Sequence, residues 1–165
     1  VPQAGGRISF TSTWFFEAPN VQEDFGQSEA EVFWTFPVSE KDYIFTRAAT
    51  GGTWLGNAPF MQEFSLGGPF QLCAYAERML REDHYIYASI GWLKFLKNQF
   101  FLGQDLYLGI WWEGGDAFAH WSDLTIKDSF SLGLVGSTFF GPVFCQISFK
   151  DDDYPYLYMG MGHVF

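Results

Sequence analysis

Between Phe100 and Trp112 the chain changes character at almost every residue. Phe100, Leu102, Leu106, Leu108, Ile110 and Trp112 fall on one side of an extended strand, and Gly103, Asp105, Tyr107 and Gly109 fall on the other. Successive side chains of a strand point to opposite faces, so this period of two predicts a β-strand with one apolar and one polar face. The same pattern over runs of about ten residues, a length that crosses a bilayer when tilted, predicts strands at 6–17, 26–38, 42–56, 84–96, 99–113, 129–140, 142–150 and 154–165. The strand at 42–56 is the least regular, because Arg47 and Gly51-Gly52 interrupt its alternation and suggest a bulge or a strand end.

Composition says what the apolar faces meet. Twenty Phe, eight Tyr and seven Trp make up 21% of the chain, more rings than a soluble core of this size needs. Large rings concentrate where an apolar surface meets water. No run of apolar residues is long enough for a helical span, and only helices and closed sheets satisfy the backbone in hydrocarbon. The expected fold is therefore all-β, a transmembrane antiparallel β-barrel with about eight strands in one domain, 1–165. The formal charge of −10 excludes a nucleic-acid partner, which needs a basic face. Cys73 and Cys145 are too few for a disulfide framework or a zinc site and are expected to be free thiols. The chain does not begin with Met or with an apolar targeting segment, so the expectation is either a mature product or the carboxy-terminal piece of something longer.

The connections alternate in kind. Those at 39–41, 97–98 and 141 are tight, whereas 18–25, 57–83, 114–128 and 151–153 are polar and mostly longer. Outer-membrane barrels keep tight turns on the periplasmic side, so the expected location is the bacterial outer membrane with both termini periplasmic. The expected inward face is polar: Ser9, Thr11, Ser89, Ser131, Ser137, Gln146 and Ser148, with Tyr85, Tyr107, Tyr156 and Tyr158, and the candidate charges Glu29, Glu31, Arg47, Asp105 and Lys150. Such charges either form a network that fills a narrow barrel or line water in a wider one. Leu157, Met159 and Met161 lie two residues apart in the last strand, which ends in Phe165, and together they resemble the terminal signal read by barrel-assembly machinery, where an unpaired strand edge is a template for strand addition.

The 57–83 connection carries Phe64-Ser65-Leu66-Gly67-Gly68-Pro69-Phe70-Gln71-Leu72-Cys73-Ala74-Tyr75 and then Leu80-Arg81. It resembles the inward-folding loop of the bacterial surface-antigen superfamily of outer-membrane assembly and translocation proteins. It is most similar to the carboxy-terminal barrel of patatin-like phospholipases of type Vd secretion. The resemblance marks Leu66, Gly67, Gly68, Leu72, Tyr75 and Arg81 as loop-motif residues, and it implies a loop folded back into the barrel with five strands after it. Where the superfamily has Arg-Gly in the loop, this chain has Cys73-Ala74, so Arg78 and Arg81 are expected either to take over, with Asp105 or Glu113 as partner, or to remain solvated loop charges. Members of the superfamily usually have sixteen strands. Eight can close alone, or pair with a second copy as half of a sixteen-stranded homodimeric wall, and an inward-folded loop favours the wider barrel.

The function these readings imply is a membrane anchor and translocation conduit for an amino-terminal periplasmic passenger, of the patatin-like lipase type by resemblance. Membrane lipid, lipopolysaccharide, a second copy and the assembly machinery are the expected partners. The alternatives are a self-contained eight-stranded structural or adhesion barrel and an outer-membrane lipid-modifying enzyme. The lipase motif Gly-x-Ser-x-Gly is missing, so no catalytic residue is assigned. His120, Ser122 and Asp123 are the set that an acyl-transfer enzyme would use. No cofactor or metal is expected, since His84, His120 and His163 are too scattered to gather an ion. Asp151-Asp152-Asp153 reads as a solvated turn or as a carboxylate cluster for a hard cation.

Overall fold

The computed structural model describes residues 4–16, 24–56, 58–100, 104–138, 141–151 and 154–161. The chain is all-β. Its strands are β1 (Gly5–Phe15), β2 (Phe25–Pro37), β3 (Asp42–Leu55), β4 (Phe64–Leu66), β5 (Leu80–Glu82), β6 (His84–Phe100), β7 (Gln104–Phe118), β8 (Lys127–Thr138), β9 (Gly141–Phe149) and β10 (Tyr156–Met161). Eight of them form one antiparallel sheet in the order β1-β2-β3-β6-β7-β8-β9-β10, and β4 and β5 form a separate hairpin. The long strands follow chain order because each is joined to its neighbour directly, except that β4 and β5 are inserted between β3 and β6. Among the described residues β1 and β10 pair with one neighbour each and not with one another. Among the described residues no helix is long and apolar enough to cross a membrane.

The alternation seen in the sequence divides the sheet into two faces. One is open and apolar: Ile8, Phe10, Val32, Trp34, Phe36, Ile90, Trp112, Phe130, Leu132, Leu134, Leu157, Met159 and Met161 are all exposed on it. Contiguous exposed apolar surface of this kind marks a face that meets a partner or lipid. The other face is covered by the segment between β3 and β6, which folds back over the sheet. Phe45, Tyr85, Tyr87, Ser89, Leu93, Tyr107, Trp111, Glu113, Ser129, Ser131, Gln146 and Ser148 are buried there. Cross-strand register sets them in rows, one running Arg47, Ser89, Glu113, Ser129 across β3, β6, β7 and β8. In the adjacent row Gly91 lies between Phe45 and Trp111. A Cβ at Gly91 would lie 2.4 Å from the Phe45 ring and 2.6 Å from Trp111 Cβ, so the missing side chain is what lets these two large residues lie side by side.

The first tight turn lies where the sequence places it. Ser39 Oγ donates to Asp42 Oδ2 at 2.6 Å and accepts from the amides of Lys41 and Asp42 at 3.2 Å, closing the connection with a local side-chain turn. The turn expected at 97–98 is not there. β6 runs on to Phe100 and β7 starts at Gln104, so Phe100 belongs to β6 and not to the strand that follows it. The register shifts between Phe95 and Lys97 and again between Lys97 and Phe100. Lys97-Asn98 therefore lies in a bulged strand end, and the polar pair marks an irregularity in pairing, not a reversal. β7 also extends to Phe118, through residues read as a polar loop from 114 onward. Its Gly114, Gly115 and Asp116 pair with β6, and Gly114 and Gly115 pair with β8 as well. In β3 the register to β6 is unbroken from Asp42 to Gly52, across Arg47 and Gly51; the irregularity lies further along β3, where the step from Gly26 to Gln27 in β2 is matched by Leu55 to Thr53 and leaves Trp54 as the extra residue.

Candidate functional site

Gly67 and Gly68 have φ of +116° and +107°, a region that residues with a Cβ rarely enter. The pair turns the chain after β4, and the turn is locked by Gly67 N donating to Gln71 O at 2.8 Å and Arg78 N donating to Gly67 O at 3.3 Å. Phe70 and Leu72 follow with φ of 60° each, a left-handed conformation costing on the order of 1 kcal/mol per residue outside glycine. Burial holds them in it. Leu72, Cys73 and Ala74 have no exposed surface, and Phe70 stacks on Trp111 with ring centroids 5.4 Å apart and meets Phe144 edge-on at 5.1 Å. Burying a side chain such as Phe70 or Leu72 contributes roughly 1.5–3 kcal/mol each, enough to offset the backbone strain.

The polar anchor under this turn is Glu113, which is fully buried. Cys73 N donates to its Oε2 at 2.8 Å, Ser129 Oγ donates to the same oxygen at 3.0 Å, and Tyr87 Oη lies 2.6 Å from Oε1. These donors are uncharged, and they come from the loop, β8 and β6. A buried carboxylate is tolerated only when such donors replace its water. Tyr87 Oη also lies 3.0 Å from Phe70 O, which accepts a second contact, at 3.2 Å, from Arg47 Nη1. Arg47 is held in turn by Glu31, whose Oε1 accepts from Arg47 Nε at 3.0 Å and lies 3.4 Å from Arg7 Nη2.

This arrangement reverses the expected direction of the contact. Neither Arg78 nor Arg81 pairs with Asp105 or Glu113. Arg78 is exposed, and Arg81 sits in β5 with its guanidinium 4.3 Å above the Phe60 ring. The arginine that joins loop and wall is Arg47, which reaches from the wall to a loop carbonyl. The carboxylate in the wall binds a loop amide. A backbone N–H needs no particular side chain, so Cys73 can stand where the resemblance would put arginine.

The remaining expected residues are distributed around this anchor. Leu66 and Leu72 are buried with Ala49, Tyr85 and Tyr87 in one cluster, with Tyr75 packed against it. Tyr75 O accepts from Tyr158 Oη at 2.9 Å, and Lys150 Nζ lies 4.5 Å from the centre of the Tyr75 ring, tying the loop to the β9–β10 side. Glu29 accepts a hydrogen bond from Tyr85 Oη. Asp105 is half-buried at the start of β7, away from the loop anchor. Leu157, Met159 and Met161 alternate on the open face of β10. Phe165, His163, Asp152 and Asp153 lie outside the described residues. Ser122 Oγ donates to Asp123 Oδ1 at 2.9 Å in a short 3-10 turn after β7. Among the described residues no group of three or more His, Cys, Asp or Glu is placed to hold a metal ion.

Two participants carry weaker sequence signals. Tyr87 shares the parity of Tyr85 and Ser89 and follows from strict alternation in β6. Asp116 has its own buried set: Thr125 N donates to Oδ2 at 2.7 Å, and Lys127 Nζ bonds Oδ1. Nothing local foretells that, because its partners come from the next strand and its approach.

Both cysteines are free thiols. Burial, reinforced by the nearby Glu113 carboxylate, pushes Cys73 up to about 12, so it stays protonated and unreactive at neutral pH. Cys145 is exposed on the open face. In folded protein in detergent, N-ethylmaleimide is expected to leave Cys73 untouched until denaturant is added, as read by mass spectrometry of the digested chain. Rapid modification of Cys73 in the folded state would contradict the docked loop.

The chain matches no protein-family model and no curated protein.

Proposed function

We propose that this chain is an outer-membrane β-barrel segment that anchors an amino-terminal periplasmic passenger and provides its conduit across the membrane. The observation that carries the reading is the division of one eight-stranded antiparallel sheet into an open apolar face and a polar face on which a long loop is folded. In water the open face would be an aggregation surface, whereas against lipid it costs nothing. The polar face then borders the interior, and the docked loop fills part of it.

A second copy completes the wall in this reading. β1 and β10 stand at the two ends of the sheet, and β1 is exposed along nearly its whole length. In hydrocarbon a free strand edge leaves N–H and C=O groups unsatisfied at several kcal/mol each. Pairing β1 of one chain with β10 of another, twice, removes both edges and gives sixteen strands. The interior then has room for a loop that already occupies one half. Lipid and lipopolysaccharide are the surroundings of such a wall, and the assembly machinery would receive it through the β10 edge. The passenger, a patatin-like lipase by the resemblance of the loop, belongs to this proposal as well.

Reconstitution tests it. The purified chain is expected to insert into liposomes, to give ion conductance in planar bilayers and to run as a heat-sensitive dimer on a gel without boiling. Failure to partition into liposomes would sink the membrane reading. A silent monomer at all concentrations would leave the self-contained eight-stranded barrel in its place.

A further inference from the structure

Beneath the β4–β5 hairpin, between the loop and the covered faces of β2, β3 and β6, lies a cavity of about 450 Å³. We propose that it binds an extended segment of polypeptide carrying lysine or arginine side chains.

Three features argue for that ligand. The volume falls in the range of sites that enclose a small ligand or a few residues of peptide. Its wall includes β4 along its whole length, from Phe64 to Leu66, and among the described residues the strand's only sheet partner is β5. The other edge of β4 is therefore a template for one more strand. Main-chain pairing there selects polypeptide over any ligand without a peptide backbone. The third feature is charge. The lining holds Glu29, Glu63 and Glu77 against Arg47 and Arg78, and Arg47 is already taken by Glu31 and the Phe70 carbonyl. Glu63 and Glu77 have no ion-pair partner within the described chain. Because no carboxylate group here is gathered in a metal's ligand set among the described residues, the excess negative charge suits an organic cation, and the strand edge makes that cation a basic side chain. Tyr85 and Phe64, with ring centroids 5.2 Å apart, supply an aromatic surface for the aliphatic stem of such a side chain.

The inference deepens the conduit reading by giving the class of chain the interior would hold. Its test is a binding measurement in detergent, which does not depend on insertion or conductance, so binding without conductance would sink the conduit and leave this site standing. The probes are a short fluorescent peptide of alternating lysine and valine, its glutamate counterpart, the lysine peptide N-methylated along one strand edge, and spermidine. Fluorescence anisotropy is expected to show saturable binding of the lysine peptide that weakens as salt rises from about 0.05 to about 0.5 M. The glutamate peptide, the N-methylated peptide and spermidine as competitor should each be at least about tenfold weaker, roughly the loss of a few backbone hydrogen bonds or of the ion pairs. Glu63→Gln with Glu77→Gln should weaken the lysine peptide about fivefold, with the Cys73 protection pattern unchanged to show that the loop is still docked. Equal binding of the N-methylated peptide or of spermidine would overturn strand pairing. Equal binding of the glutamate peptide, or no binding of the lysine peptide, would overturn the site.

Discussion

Replacing Glu113 with alanine is expected to release the loop from the sheet and to open Cys73 to alkylation. In the native chain Glu113 fills the acceptor role for Cys73 N–H, Ser129 Oγ and Tyr87 Oη, all in a site without water access. Alanine removes the acceptor and leaves the donors. Tyr87 can still turn to Phe70 O, but the Cys73 amide has no second partner, and a buried donor without one costs about 1–3 kcal/mol. With the loss at Ser129 included, the docked state should weaken by about 3 kcal/mol. That is roughly a hundredfold shift toward the undocked loop. A Cys145→Ser background makes Cys73 the sole reporter, and its maleimide labelling rate should rise by about that factor. Glu113→Gln is expected to fall between, because its amide keeps one acceptor oxygen and turns a second donor toward donors. An unchanged Cys73 rate in Glu113→Ala would show that the apolar contacts of Phe70 and Leu72 hold the loop without it.

The second large effect lies at the other end of the same turn. A Cβ on Gly67 would stand 2.2 Å from Ala76 O, a backbone atom with nowhere to go, and φ there is +116°. Gly67→Ala should therefore lose about 3 kcal/mol or more of loop docking, from steric overlap and backbone strain together. Gly68→Ala is the control. Its φ is +107° but its nearest neighbour would be Glu77 Cγ at 3.4 Å, so only the strain acts, about 1 kcal/mol. The Cys73 labelling rate again reports both. Equal rates in the two variants would mean that the loop turns differently from the description given above.

How far the sequence carries these conclusions depends on the range of the interactions involved. Alternation is local, and it places the eight long strands and both faces of the sheet. Strand ends are less local. Lys97-Asn98 carries the polarity of a turn, yet β6 passes through it on bulges. Gly114 to Asp116 reads as a loop, because what makes Asp116 buriable is Lys127 and the Thr125 amide across a chain reversal. The loop anchor is the least legible part. The Leu-Gly-Gly run signals an unusual turn, but the Cys73 amide meets a carboxylate forty positions away, and a backbone donor leaves no mark in the residue type. A search for paired charges leads to Arg78 and Arg81. The structure satisfies Glu113 with neutral donors and uses Arg47 from the wall.

The three donors on Glu113 also set an order of events during folding. They belong to the 57–83 segment, β6 and β8, while the acceptor itself is on β7. The loop is synthesised before any of those strands, yet its docking position does not exist until all three are side by side. Contacts of such sequence separation form late, after the loop-closure entropy of the intervening chain has been overcome. The loop is therefore expected to dock only after the carboxy-terminal half of the sheet has assembled, so that Cys73 should gain its protection from alkylation later in refolding than the sheet forms, as read by pulsed maleimide labelling beside circular dichroism.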